Sequence, residues 1–536
     1  MNEIASTAAP VFVRTRQPRQ WGAGWARART TAAYVAGVLV LLAAWEIAGR
    51  AGLADGFVIT PGEAVGTVFD NKYRDLYWRS AGATFSAAAI GLVIGGVIAA
   101  ISALLAHQVR SLRRIVDQFA ALANSAPWVA VGPVVLVVAG RESGPIAIAA
   151  LAVYFYFFVS ISVGLSASEG SLRDVFSSLG ASGWRTATLL TIPRALPSLA
   201  EGFKLAAPAA LAGTIYGEWY GSSTGLGVLL ISGMQGGDVE RLWAASVLAA
   251  LGGMVAFGVA ALAQWVLRRR YGFGIVSRSA PDTRTTRVRV IQTTLEVVGI
   301  AVVLIGAWQL WITLGKVSPL IVPAPAAVFA DLVSRPGEYL ALVGQTLSTA
   351  SLALLLGVAV GVVLAVVARL STFTSGLVVP AMVLLTATPL VAMFPLLARL
   401  FGYRDSTVVV IASVLVILPA FVYTRSGLDA ALPQHRDVAR SLGASAAATF
   451  RWIGLPSALP HMSTGLRIAA SSAIIATVIG ESLIGTTGLG VEFTYQYRLL
   501  TMAPAFGAAI LIVLLSLLVF TVFGWIDRRI HQRWGA

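Results

Sequence analysis

The stretch Ser178–Ser198, SLGASGWRTATLLTIPRALPS, decides how this chain is built, because a second version, SLGASAAATFRWIGLPSALPH, stands 263 residues later at Ser441–His461. Both copies are polar and close on two prolines, yet both sit inside a chain that is 57% hydrophobic and 12% charged, with mean hydropathy +0.81. Soluble domains carry about 25% charged residues. Apolar runs recur along the whole length, and each is long enough to cross a hydrocarbon core of about 30 Å. The composition predicts an all-α polytopic membrane protein.

Six apolar runs, a basic linker and six more runs give about twelve transmembrane helices. The expected spans are 31–49, 82–106, 116–139, 145–165, 200–220 and 241–267, then 294–314, 346–369, 376–400, 406–426, 463–484 and 502–523. The halves align along their length: Trp45 with Trp308, Thr84 with Thr346, Pro127 with Pro389, Gly140 with Gly402, Glu218 with Glu481. An even number of spans per half makes the repeat parallel, with a pseudo-two-fold axis along the membrane normal and a pathway between the halves. The divisions are a basic tail 1–30, a first repeat 31–267, a linker 268–290 and a second repeat 291–536. Arginines concentrate in the tail, after the second span (Arg110, Arg113, Arg114), in the linker and at Arg528, Arg529 and Arg533. The positive-inside rule then puts both termini in the cytoplasm. The apolar run behind the tail is too long for a signal peptide and reads as an uncleaved first helix.

On this topology residues 166–199 and 427–462 are cytoplasmic loops of unusual length. Their small Gly-Ala-Ser residues permit close approach of another backbone, the segment ahead suits a short amphipathic helix, and Pro193 and Pro197 break the chain direction before the next span. A loop that merely covers its own helices has no reason to keep surface residues alike in both halves. Yet 14 of the 35 aligned positions in 171–205 and 434–468 are identical. One partner bound by each half accounts for that.

The Gly-Ala-Ser turn, the apolar stretch and the Leu/Ile-Pro-x-x-x-Pro close resemble the cytoplasmic loop of ABC importer permeases. PWVAVGPVVLVVAG at 127–140, its partner PLVAMFPLLARLFG at 389–402, and STGLG and TTGLG at 223–227 and 486–490 look like the nitrate/sulfonate/taurine branch. That family usually supplies separate six-span subunits, whereas here two copies are fused. The resemblance implies the type I importer permease fold, two cytoplasmic ATPase subunits that carry ATP and Mg, and an extracytoplasmic solute-binding protein. It also implies a cell-membrane location, no cofactor on this chain, and a small solute: an anion such as a sulfonate, taurine or nitrate, or a vitamin-precursor-like heterocycle. Carried over residue by residue, the ATPase-docking positions are Gly180, Ala181, Ser182, Gly443, Ala444 and Ser445, flanked by Arg173, Asp174, Arg436 and Asp437.

Other classes find less support. Zero cysteines exclude disulfides and thiolate metal sites, no phosphate loop is present because Gly315-Lys316 runs into Val317, and no metal-ligand cluster is visible. The arginines flank apolar runs rather than forming a nucleic-acid surface. The chain is therefore expected not to be an enzyme. A secondary transporter of the major-facilitator type also has twelve spans, but its longest cytoplasmic loop joins the halves, and HQVRSLRR replaces its signature after the second span. Pathway or gate candidates are Asn124, Pro127, Trp128, Tyr154, Tyr156, Glu218, Thr388, Pro389 and Glu481. Membrane-depth carboxylates are functional candidates by default, prolines permit bending, and aromatics can stack on a planar solute. No intramembrane arginine pair stands out as an anion clamp, because Arg141, Arg399 and Arg404 lie near the external end.

Overall fold

The computed structural model describes residues 21–109, 116, 128–166, 171–271, 286–430, 437–439 and 441–534. All regular elements among them are helices. The first half comprises α1 (Trp21–Arg50), α2 (Pro61–Phe69), α3 (Arg74–Gln108), α4 (Trp128–Ser166), α5 (Ser171–Ser178), α6 (Ile192–Trp219), α7 (Leu226–Gly236) and α8 (Val239–Tyr271). The second comprises α9 (Thr286–Gly315), α10 (Pro325–Ser334), α11 (Pro336–Leu370), α12 (Thr372–Ala387), α13 (Phe394–Phe401), α14 (Asp405–Ala430), α15 (Leu455–Ile484), α16 (Leu489–Arg498) and α17 (Met502–Trp534). Eight described helices are long and apolar enough to cross a membrane, or nine if the bent pair α12–α13 counts as one span. The expected spans 116–139 and 294–314 run into residues whose side chains are not described. The expected span 200–220 falls on α6, which carries Glu201, Lys204 and Glu218.

The helices run past the expected spans, α1 from Trp21, α8 on to Tyr271 and α9 from Thr286, while the apolar portions Ala28–Arg50 and Val239–Leu267 lie close to the expected 31–49 and 241–267. The prolines do not part the loops from the following spans. Helices α6 and α15 begin at Ile192 and Leu455 and continue through Pro197 and Pro460. Pro193 and Pro456 follow directly on helical residues, Thr191 and Gly454 being in the α region, so each lies inside a continuous helical run. Just ahead, Ala187–Thr191 and Phe450–Gly454 each form a π-helical turn, a widening that relieves the clash of a proline ring with the carbonyl four residues back. The expected span 376–400 is not straight. Thr388 is extended ahead of Pro389, as the residue before a proline prefers, and the chain turns by 93° between α12 and the segment Val391–Phe401. In α4, Gly140 breaks the helix at φ 81°, and its counterpart Gly402 separates α13 from α14 at φ 86°.

Small residues set the helix spacing. A Cβ on Gly95 of α3 would lie 2.4 Å from the Ala150 carbonyl of α4, and one on Gly357 of α11 would lie 2.5 Å from Val416 of α14. Packing at that distance replaces the hydrophobic drive that lipid cannot supply between helices. The halves also exchange contacts. Helix α1 lies on α12 of the other half, where a Cβ on Gly376 would come 2.5 Å from the Ala33 carbonyl. Gly376→Leu is therefore expected to push α1 off its seat at a cost of about 1–3 kcal/mol, read as a lowered melting temperature in detergent. Gly82→Ala, where a Cβ meets nothing within 4 Å, should leave it unchanged.

Connectivity puts the two polar loops at one end of the bundle and α2, α7, α10 and α16 at the other. At that second end the Trp45 indole donates to the Ile59 carbonyl at 2.9 Å and stacks on Trp243, which donates to the Phe57 carbonyl at 2.8 Å. Helix α2 opens with a capping box between Thr60 and Glu63. The Thr60 backbone amide holds the Glu63 carboxyl below its ordinary value.

Candidate functional site

The loop end is built by a stop and a restart. Helix α5 ends in a Schellman motif: the Gly180 amide donates to Ser177, the Ala181 amide donates to Phe176, and Gly180 takes φ 69°. Ser182 then caps the next turn by accepting from the Arg185 amide at 3.3 Å. The second copy repeats this. Gly443 takes φ 72°, the Ala444 amide donates to Ala439, and Ser445 accepts from the Ala448 amide at 3.1 Å. Among the described residues nothing lies within 4 Å of a Cβ placed on either glycine, and the left-handed conformation itself favours glycine there.

These loops expose apolar side chains that the sequence reading passed over. Leu179 and Leu442, equivalent across the repeat, are 77% and 80% exposed, and Val175 and Val438 stand one turn earlier on the same face, also exposed. Each loop further presents one tryptophan, Trp184 at 76% and Trp452 at 72% exposure. Large apolar groups inside a polar loop were the available signal. Asp174 and Asp437 are exposed. The Arg173 side chain and Arg436 lie outside the described residues.

A cavity of about 260 Å³ lies between the halves. Its polar lining comes from Tyr156 and Lys204 of the first half and Thr386, Thr388 and Ser472 of the second; the rest is aliphatic, aromatic or proline, including Pro389. No carboxylate lines it among the described residues. Of the aromatic run 154–158, Phe155 and Tyr156 reach the cavity, whereas Tyr154 is buried and stacks on Phe158 at 6.0 Å. Asn124 and Pro127 lie outside the described residues, as does the side chain of Trp128.

No arginine pair was expected as an anion clamp, and the structure adds a basic pair of another kind. Lys204 on α6 and Arg467 on α15 are equivalent at the 263-residue offset. Lys204 Nζ sits 4.9 Å from the Phe257 ring centroid, and the Arg467 guanidinium 4.0 Å from that of Phe520. The two rings are equivalent as well. Only the lysine lines the cavity.

Glu218 and Glu481 sit elsewhere, in matching buried latches at the far end. Thr84 donates to Glu218 Oε1 at 2.7 Å, the Gly227 amide donates to Oε2 at 2.7 Å, and the Thr84 hydroxyl accepts from the Leu226 amide at 2.8 Å. In the second half Thr346 and the Gly490 amide both donate to Glu481 Oε2, at 3.0 and 2.9 Å, and Thr346 accepts from Leu489 at 2.9 Å. Each glutamate and threonine thus satisfies the first amides of a short helix, α7 or α16, which have no partner within the helix. Gly225 and Gly488 precede those helices at φ 140° and 115°, and a Cβ on either would strike the glutamate carboxylate. The STGLG and TTGLG sequences are the backbone side of the latch. Beside it Tyr216 and Tyr220 share a hydrogen bond of 2.7 Å, and Tyr220 meets Tyr497 of the other half edge-on at 6.1 Å. This aromatic cluster closes the far end one to two turns of α6 beyond the cavity.

Residues 91–271 and 357–532 each match the binding-protein-dependent transport system inner membrane component family. A probable ABC transporter permease of Haemophilus influenzae is 30% identical over 42% of this chain and 93% of its own length. The formylaminopyrimidine transport permease of Halalkalibacterium halodurans is 28% identical over 39% and 83%. The taurine transport system permease of Escherichia coli K12 is 29% identical over 37% and 74%. A single relative thus accounts for less than half of this chain. Two matched domains, each with its own loop and latch glutamate, make this chain a member of the binding-protein-dependent transport system inner membrane component family, a multi-pass ABC transporter permease with two copies of the domain fused in one polypeptide.

Proposed function

We propose that this chain is the complete solute pathway of an ATP-driven importer in the cell membrane, with both termini and the two polar loops in the cytoplasm. Each loop docks on one ATPase subunit through Gly180, Ala181 and Ser182 or Gly443, Ala444 and Ser445, with Arg173, Asp174, Arg436 and Asp437 at the edge. The observation that carries this is the equivalent exposed pair, Val175 with Leu179 and Val438 with Leu442. Apolar side chains kept exposed at the same place in both halves mark a surface that is covered in the assembled molecule. ATP and Mg belong to the ATPase subunits, and the chain itself has no catalytic role. Closure of the ATPase pair pulls both loops, rocks the halves and moves the cavity between two accesses. A solute-binding protein delivers at the far end, where α7, α16 and the tyrosine cluster lie.

The solute is a small organic or inorganic anion, or a heterocycle of vitamin-precursor kind. Relatives named for taurine, aliphatic sulfonates, nitrate and formylaminopyrimidine support that range. The fold alone does not choose within it.

The test is reconstitution in proteoliposomes with the ATPase that copurifies. Uptake should require ATP, and the chain alone should hydrolyse none. Gly180→Val with Gly443→Val forces a β-branched residue into the left-handed region, which should release the ATPase or uncouple it. Uptake by the chain alone on an ion gradient would sink the importer reading; intact coupling in the double variant would sink the docking assignment.

A further inference from the structure

We infer that the cavity between the halves holds an anionic group of the solute on Lys204, with the Tyr156 and Thr388 hydroxyls as further donors. This rests on reading the cavity as the solute pathway. Among the described residues Lys204 is the one charged side chain lining it, and no carboxylate there neutralises it. Its recorded partner among the described residues is the face of Phe257, an attraction weaker than a charge-assisted hydrogen bond to an anion. The nearest acidic group along α6, Glu201, is exposed and accepts from Gln264 at 3.4 Å. Tyr156 and Thr388 line the cavity from opposite halves. Neither side chain makes a hydrogen bond among the described residues, so both hydroxyls have a proton to give.

The repeat sharpens the assignment. Were a cation at this position only a feature of the fold, Lys204 and Arg467 would stand in equivalent surroundings. Both do lie over equivalent rings. The cavity, however, reaches down α6 as far as Lys204, while on α15 it stops at Ser472 and does not reach Arg467. Arg467 instead packs beside Gly524. Among the described residues the site is therefore one-sided: a single cation from the first half faces polar residues of the second. It suits a monoanionic head of few atoms, with the aliphatic and aromatic wall receiving an apolar remainder.

The test uses the full chain in lipid nanodiscs and two probes of nearly equal shape, methanesulfonate, which is charged, and dimethyl sulfone, which is not. Saturation-transfer NMR titrations should show saturable methanesulfonate binding that is tighter than that of dimethyl sulfone. Lys204→Gln should weaken methanesulfonate by about tenfold to a hundredfold, the worth of one charge-assisted hydrogen bond, and leave dimethyl sulfone unchanged. Lys204→Arg should keep most of the affinity and shows that any loss in the glutamine variant is one of charge. Equal binding of the two probes, no saturable methanesulfonate binding, or undiminished affinity in Lys204→Gln each overturns the assignment. Retention of the copurifying ATPase is scored on the same samples. Its absence from the wild-type chain strikes the importer reading, while the titration still decides the cavity.

Discussion

Glu218→Ala is expected to destabilise the protein by about 2–5 kcal/mol, because it removes an acceptor from two buried donors at once. The Thr84 hydroxyl and the Gly227 amide each lose their partner. Thr84 then no longer has a fixed neighbour to orient it toward the Leu226 amide. Helix α7 loses its tether, and the tyrosine cluster at the far end loses its support. The glutamine variants separate the halves. Both Glu218 oxygens are engaged, so Glu218→Gln turns an amide donor toward one of the two donors, with an expected cost of about 1 kcal/mol. In the second half Oε2 takes both bonds while Oε1 has no partner among the described residues. Glu481→Gln can keep both bonds on its carbonyl oxygen, and it should be the milder change. Thermal melting of these three variants and Glu481→Ala in one detergent checks the order, with the alanine variants well below the glutamine variants and Glu218→Gln below Glu481→Gln. Alanine variants that melt with the wild type would remove the latch from the account.

How much of this the residues disclosed depends on the distance over which each feature is encoded. The duplication was legible because the Gly-Ala-Ser turns and prolines recur at a constant offset, and it carried the fold class with it. Glu218 and Glu481 were legible as a pair but not as latches, since Thr84 lies 134 positions before Glu218 and Thr346 lies 135 before Glu481. Pairing across such a gap is set by the packing of α3 on α6 and of α11 on α15, which one sequence does not reveal. Pro389 announced a break, and the structure supplies its size. Pro193 and Pro197 announced a break too, wrongly. A proline inside a helix clashes with the carbonyl four residues back, and the π-helical turns at Ala187–Thr191 and Phe450–Gly454 let the helix continue past it. Lys204 fell inside the expected span 200–220, but its place in one sequence does not show which neighbours its side chain meets. The packing of α6 against the other half sets it in the cavity wall.

Replacing Leu179 and Leu442 together by aspartate is expected to abolish ATP-driven uptake, lowering it by at least about a hundredfold. Each substitution leaves the chain's own fold untouched, since both side chains are almost fully exposed and neither helps form the Schellman turn that follows. If each leucine is buried against an ATPase subunit, each aspartate carries an unpaired charge into an apolar contact. The cost there is several kcal/mol per site, of the size that hot-spot residues contribute to an interface. The two events add because the loops lie on different halves with no shared contact. The single variants are informative in their own right. The shared residues, Val175, Leu179, Gly180, Ala181 and Ser182 with their partners, make the common part of the contact, and either single change should weaken docking by a similar factor. The tryptophans are not shared: Trp184 stands opposite Ala447, and Trp452 opposite Leu189. Trp184→Ala should therefore affect only the first loop's grip and Trp452→Ala only the second's. Cross-linking from a cysteine placed in one loop at a time, in this cysteine-free chain, reads the loops separately. Uptake and ATPase copurification persisting in the double aspartate variant, with a wild-type melting temperature, would show that the exposed leucines face no partner.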